Sequence, residues 1–301
     1  METSANRASE IGSTGARAPE STQPVTPLPR TPPRGRRWWI TRLVAPALAA
    51  GLGLGWWQVR LSPAAWIALL RSPPEMVRIP AGRFVMGASA DDTTVLRDNE
   101  RPAHEVVLDY AFEMARYEVT VAEYEVFAKA MGKASSTRSP TAPATGMSLD
   151  EAKAYAAWLS RATFRRYRLP SESEWEYAAR AGTTARYVSG DRPEDLDRVA
   201  WYRDNADGRL HPVGEKEPNP WGLHDMLGNA TEWVLDEYHD TYTGAPTDGS
   251  PRLDPASMTG QATRGGSSIT PIEGMRVSYR RQYPAQNGAL NVGFRLVREI
   301  D

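Results

Sequence analysis

Asp225, Gly228, Ala230 and Glu232 lie close together in NPWGLHDMLGNATEWVLDEYH, residues 219–239. Two carboxylates and the carbonyls of an irregular loop form a hard-oxygen set, and Ca²⁺ takes about 6–8 such oxygens. Between them, Gly228-Asn229 suits a backbone with positive φ, so the segment breaks there. The same acids would serve as acceptors for loop N–H groups, because Ca²⁺ ordinarily needs more ligands than this stretch supplies. A second polar group follows at Arg276, Arg280 and Arg281, interleaved with Tyr279 and Tyr283. Alternate strand residues face opposite ways, so Arg280 and Arg281 cannot both point inward. The inward one would hold a carboxylate or a peptide turn, or pair with acids of neighbouring loops. His104, His211, His224 and His239 are scattered and show no ligand spacing. Nor is there a phosphate loop, a zinc pattern or a defensible Ser-His-Asp set.

Composition narrows the chemistry further. The 301-residue chain has no cysteine, which removes disulfides, thiolate metal sites and cysteine nucleophiles together. Its net charge of −1 gives no footprint for a nucleic-acid partner. Ten Trp and twelve Tyr against five Phe favour a loop-rich interior whose rings keep a polar end satisfied.

The elements that must position these residues begin late in the chain. Residues 1–37 are rich in Ser, Thr, Pro and Arg and read as a disordered cytoplasmic leader. Residues 38–60 contain the apolar run LVAPALAAGLGLGWW, with Trp pairs at both ends and arginines before it. That pattern predicts a transmembrane signal anchor with the following domain extracytoplasmic, in the periplasm. A cleaved twin-arginine signal at Arg36-Arg37 is the alternative, and a buried helix is a third. Residues 61–74 form a linker, with an amphipathic piece suited to a membrane surface and a stop at Pro73-Pro74.

From residue 75 to 301 the pattern is α+β. Short strands are expected around Val77–Ile79 and Phe84–Met86, across a Pro-Ala-Gly turn, and then at 106–108 and 110–114. Helical spacing runs over 121–131 and stops at Gly132. Ser148 with Glu151, and Ser171 with Glu174, are capping boxes that open helices to about Arg161 and Ala181. Glu172, Glu174 and Glu176 read as first-turn charges, Trp175 and Tyr177 as core. Short strands and loops follow.

Several ordered motifs then carry a resemblance. They are MVRIPAGRFVMG at 76–87, ERPAH at 100–104, EVT at 118–120, RLPSESEWEYAARAG at 168–182, WGLHDMLGNATEW at 221–233, RGGS at 264–267 and GFR at 293–295. In that order they resemble the formylglycine-generating enzyme family, the sulfatase-modifying-factor domain, over residues 76–298, about three quarters of the chain. The resemblance implies a loop-rich variant of the C-type lectin fold. It also implies a structural Ca²⁺ held by the side chains of Asp225 and Glu232 and the carbonyls of Gly228 and Ala230. The stretch 201–211 does not resemble the family's other calcium site.

The departures matter as much. The founding enzymes oxidise a sulfatase cysteine using copper bound by two cysteines after Gly-Gly-Ser. Those positions fall at or near Thr270 and Met275, and Ser267 stands where the family places an active-site serine. Hydroxyl and thioether groups are poor substitutes for the thiolates that Cu(I) prefers, so no copper is expected. Thr231 replaces the first Trp of the family's Trp-Glu-Trp, and no His-x₃-His-x-Glu iron site is present. Ser267, Thr270, Met275 and Arg280 are the candidate pocket. The expectation is a binding or accessory module for an exported protein or peptide partner. The alternative is a cysteine-independent maturation enzyme, as in some exported relatives linked to siderophore maturation.

Overall fold

The computed structural model describes residues 73–300 apart from 91, 94, 96, 97, 135 and 255–259. The expected leader, signal anchor and amphipathic piece lie outside the described residues. Among the described residues, no helix is long and apolar enough to cross a membrane.

Three helices are opened by the same local device. α1 (Val121–Ala130), α2 (Leu149–Thr163) and α3 (Glu172–Arg180) begin after Thr120, Ser148 and Ser171. Each hydroxyl accepts from the N–H three residues on, and the glutamate there returns a bond to the cap N–H. Such a box satisfies two donors that a helix start leaves open. A short fourth helix, α4, covers Leu196–Val199. The α2 and α3 ends turn through Phe164 and Ala181 in the left-handed region.

Among the described residues, ten short strands form three sheets. β1 (Met76–Ile79), β4 (Phe112–Ala115), β10 (Val297–Glu299) and β5 (Tyr167–Arg168) make one, in the order β1-β4-β10-β5. β2 (Gly82–Met86) pairs only with β3 (His104–Leu108). β8 (Arg280–Tyr283), β7 (Gln261–Arg264), β6 (Thr231–Glu237) and β9 (Val292–Gly293) make the third, in that order. The strands on either side of Pro80-Ala81 therefore do not pair with each other, and the turn passes the chain from one sheet to another. The chain enters β2 at a close approach: a Cβ at Gly82 would sit 2.3 Å from the Tyr177 hydroxyl oxygen on α3.

Two large clusters and a small one, of Met86, Val106 and Tyr242, form the core of the described residues. One large cluster gathers Trp175, Leu227, Val234, Met275 and Val277 around α3. The other large cluster packs Phe127, Tyr155 and Trp158 of α1 and α2 against Trp233 and Phe294. Many of the rings keep a polar end satisfied, as composition suggested: Trp175 Nε1 donates to Glu232 at 2.7 Å and Trp233 Nε1 to the Met147 carbonyl at 3.2 Å. Trp158 and Trp201 are exceptions, with buried Nε1 groups that find no partner.

All nine residues of α3 are buried, including Glu172, Glu174 and Glu176. These acids are the ends of a buried ionic lattice. Glu172 takes two 2.7 Å bonds from Arg280 and one of 3.2 Å from Arg264. Glu176 accepts from Arg264 and, at 2.7 Å, from Arg180. Glu174 accepts from Arg168 at 2.6 and 2.7 Å. Burial by itself would raise the Glu176 carboxyl, but Arg180 and Arg264 outweigh it and hold it below its ordinary 4.5.

Removing one partner of such a pair strands a buried charge and costs about 3–5 kcal/mol. Glu176→Gln should therefore lower the urea-unfolding free energy by that amount, and a loss under about 1 kcal/mol would mean the pair behaves as an exposed one. Because the folded value is depressed, the Glu176 contribution is present above pH 4.5 and is lost as pH falls through the lower folded value.

Candidate functional site

The RGGS loop turns directly over the central helix. Gly265 and Gly266 have φ of +90° and +69°. A Cβ on Gly265 would meet the Trp175 ring at 3.2 Å, and one on Gly266 would lie 3.0 Å from Met275 Sδ and 3.3 Å from Thr270 Cγ2. Only a residue without a side chain lets the loop settle there. Ser267, Thr270 and Met275 are thereby brought together, with exposures of 0, 4 and 0%.

Their polar atoms satisfy one another. Ser267 N donates to Thr270 Oγ1 at 2.9 Å, and the two hydroxyl oxygens are 3.2 Å apart. Asn291 Nδ2 donates to Ser267 Oγ at 3.0 Å. Asn291 lies just ahead of the GFR motif, 24 residues from Ser267, a separation from which sequence spacing signals nothing. Between the buried positions Ile269 stands 52% exposed.

Arg280 is elsewhere. It faces inward while Arg281 is exposed, as strand alternation requires. Its guanidinium is committed to Glu172 and to the carbonyls of Asn99 and His239 at 3.1 and 2.8 Å, and it lies over the Tyr238 and Tyr242 rings. Arg276 is likewise bound to Glu100.

The acidic loop lies directly against the RGGS loop: Gly228 N donates to the Gly265 carbonyl and Ser268 N to the Asn229 carbonyl, both at 2.9 Å. Gly228 and Asn229 both have positive φ, as does Asp225 at +54°. A Cβ on Gly228 would lie 2.2 Å from the Trp201 carbonyl oxygen, so the loop rests on that backbone. Asp225 Oδ2 accepts from Gly214 N at 2.7 Å, while its Oδ1 is buried without a partner. Glu232 accepts from Trp175 and, at 2.7–2.8 Å, from Arg295. Glu118, outside the predicted set, braces the loop by accepting from Ala230 N at 2.8 Å and Asn229 Nδ2 at 2.9 Å.

Burial, reinforced by Asp225 and Glu232, pushes the Glu118 carboxyl well above its ordinary value. Burial also raises Asp225. Three carboxylates thus face one guanidinium. Among the described residues no three His, Cys, Asp or Glu side chains converge on one metal position. The unspent Asp225 oxygen and the excess of acid nevertheless fit a hard cation held partly by carbonyls.

Two cavities open elsewhere. One of about 460 Å³ runs along α1 past Tyr124, Ala128, Arg138 and Met147. Another of about 280 Å³ is lined by Asp92, Arg180, Arg186 and Asp191. Neither includes Ser267, Thr270 or Met275.

The profile of the sulfatase-modifying factor enzyme 1-like domain matches residues 68–300. The chain belongs to this family. It is similar in structure to PvdO from Pseudomonas aeruginosa, with a TM-score of 0.69 and 33% identity over 75% of this chain and 95% of that one. In sequence it is 32% identical to the formylglycine-generating enzyme of Mycobacterium tuberculosis, over 52% of this chain and 57% of that protein. It is 28% identical to the inactive C-alpha-formylglycine-generating enzyme 2 of Mus musculus, over 74% of this chain and 85% of that protein. The α+β architecture fits this sulfatase-modifying-factor domain, and its Thr270 and Met275 meet across Gly266.

Beside the lattice, Asp236 of β6 accepts from Glu172 N at 2.6 Å and from Arg252 N at 2.8 Å. Burial, with Glu172 nearby, raises its carboxyl to about 7. The folded state therefore binds the proton more tightly than the unfolded one. The contribution is full below about pH 3.8 and is lost as pH rises through 7. Carboxyl-carbon NMR should find this one aspartate titrating near neutrality, and Asp236→Asn should remove that transition.

Proposed function

We propose that the domain is a binding or accessory module for an exported protein or peptide partner. It is tethered through residues 38–60 and presents a lectin-like, loop-built surface outside the cytoplasm. The observation that carries this reading is the state of the RGGS loop. Ser267, Thr270 and Met275 are buried and bonded or packed against one another, in a chain without cysteine, while Ile269 is exposed beside them. A partner laid over this loop would cover Ile269. Such a role asks nothing of the thiol chemistry that the side chains lack.

Ca²⁺ in this reading is a structural ion held by Asp225, Glu232 and the Gly228 and Ala230 carbonyls, with Glu232 shared with Arg295. The partnerless Asp225 oxygen supports it.

Crosslinking of the full-length protein in native membranes, followed by mass spectrometry, tests the role beside an Ile269→Asp variant. The expected result is a stoichiometric, unmodified partner that the variant loses. A substoichiometric partner carrying an oxidative mass change, absent in the variant, would replace the proposal with cysteine-independent maturation. For the ion, Ca²⁺ at a hundredfold excess over Kd should raise Tm by about 5–10 °C relative to chelator. Asp225→Ala should abolish the rise, and an unchanged wild-type Tm would remove calcium from the account.

A further inference from the structure

Phe164 stands out among the exposed side chains. It caps the C-terminus of α2 at φ +56° and ψ +30°, a left-handed conformation that glycine or asparagine ordinarily fills. Its ring is 90% exposed, the most exposed large apolar side chain among the described residues. A bulky aromatic here takes on backbone strain and receives no packing in return. Something outside the described fold is needed to explain the ring.

The surroundings supply its chemistry. Arg161 lies in the last turn of α2, and Arg165 and Arg166 follow Phe164. Lys153, Ala157 and Arg161 recur at four-residue spacing and are all exposed, so they form one stripe leading to the ring. Lys153, Arg161 and Arg165 make no ion pair with another described residue. Arg166 is held by Glu299 at 3.1 Å, and Glu299 N donates to the Arg166 carbonyl at 3.0 Å. The exposed acid on this helix, Asp150, lies in the first turn, about 21 Å away along the axis.

We propose that this tip docks on an anionic lipid surface. Phe164 enters the headgroup region. Arg161, Arg165 and Lys153 meet the phosphates while their stems lie on the apolar boundary. A ring with no polar edge has no hydrogen bond to offer an aqueous partner, whereas a bare apolar tip flanked by Arg161 and Arg165, with Lys153 further along the same stripe, matches the layering of a lipid interface. The proposal is separate from the tether at residues 38–60, which concerns other residues.

The absence of cysteine makes the test direct. Ala157→Cys in the full-length chain gives a single attachment point for an environment-sensitive NBD dye on the proposed face. The chain is reconstituted into phosphatidylcholine vesicles with and without phosphatidylglycerol. The expected result is a blue-shifted emission, quenched by spin-labelled lipid, that requires phosphatidylglycerol. Phe164→Gly should weaken the response about tenfold or more, in line with the loss of one buried aromatic. It should also leave the fold intact, because glycine suits this backbone. Arg161→Glu and Arg165→Glu should each weaken it about fivefold or more. A probe that stays in water while the chain floats with the vesicles would overturn the proposal and leave the tether reading standing. A shift unchanged by Phe164→Gly, or one that needs a co-purifying protein and no lipid, would overturn it as well.

Discussion

The domain hangs on buried ion pairs between one short helix and arginines drawn from distant strands. Glu172, Glu174 and Glu176 of α3 have been taken out of water, and each is met by a guanidinium: Arg264 and Arg280, Arg168, and Arg180 with Arg264 again. An exposed pair of this kind contributes little. A buried one does not have to add much net stability to be indispensable, because the state in which one partner is missing is so unfavourable. The bonds are also directional. They join β5, β7 and β8 to the helix at fixed angles, a service that the short strands and long loops could not perform by packing alone.

The same helix sets both loops of the candidate site. Trp175 offers its ring to the underside of Gly265 and its Nε1 to Glu232. The indole thus lies under the turn of the RGGS loop and holds a carboxylate of the acidic loop at its Nε1. Arg295 completes the second arrangement from the GFR motif, reaching Glu232 and the carbonyls of Ala115 and His224. The motifs that carry the family resemblance are therefore largely neighbours of one tryptophan.

What was legible in the sequence was local or periodic. The Ser148 and Ser171 caps could be read because a hydroxyl and a glutamate three residues on leave a visible pattern. Thr120 and Glu123 carry the same pattern and form the same box. Alternation showed that Arg280 and Arg281 must part ways, but not that Arg280 would be taken up by Glu172, 108 residues earlier. Glu118, although it opens the EVT motif, and Asn291 show no local sign of their roles for the same reason. Their work is done across 111 and 24 residues, and a lone acid or amide announces no partner. Nor does any local signal encode the separate destinations of β1 and β2 or the approach of Gly82 to Tyr177. The meeting of Thr270 with Met275 was suggested by resemblance, and loop geometry supplied the physical reason.

The shared carboxylate of Glu172 has a consequence for how this sequence can drift. It serves Arg264, Arg280 and the Tyr242 hydroxyl together. A mutation that neutralises it strands Arg280 and leaves Arg264 with Glu176 alone, and one that removes either arginine unbalances the acids that remain. Neighbouring sequences in mutational space are thus reached by compensated sets of changes and seldom by single steps. Across descendants of this gene, residues 172, 176, 264 and 280 should vary as a block, while the loops they hold are free to diversify.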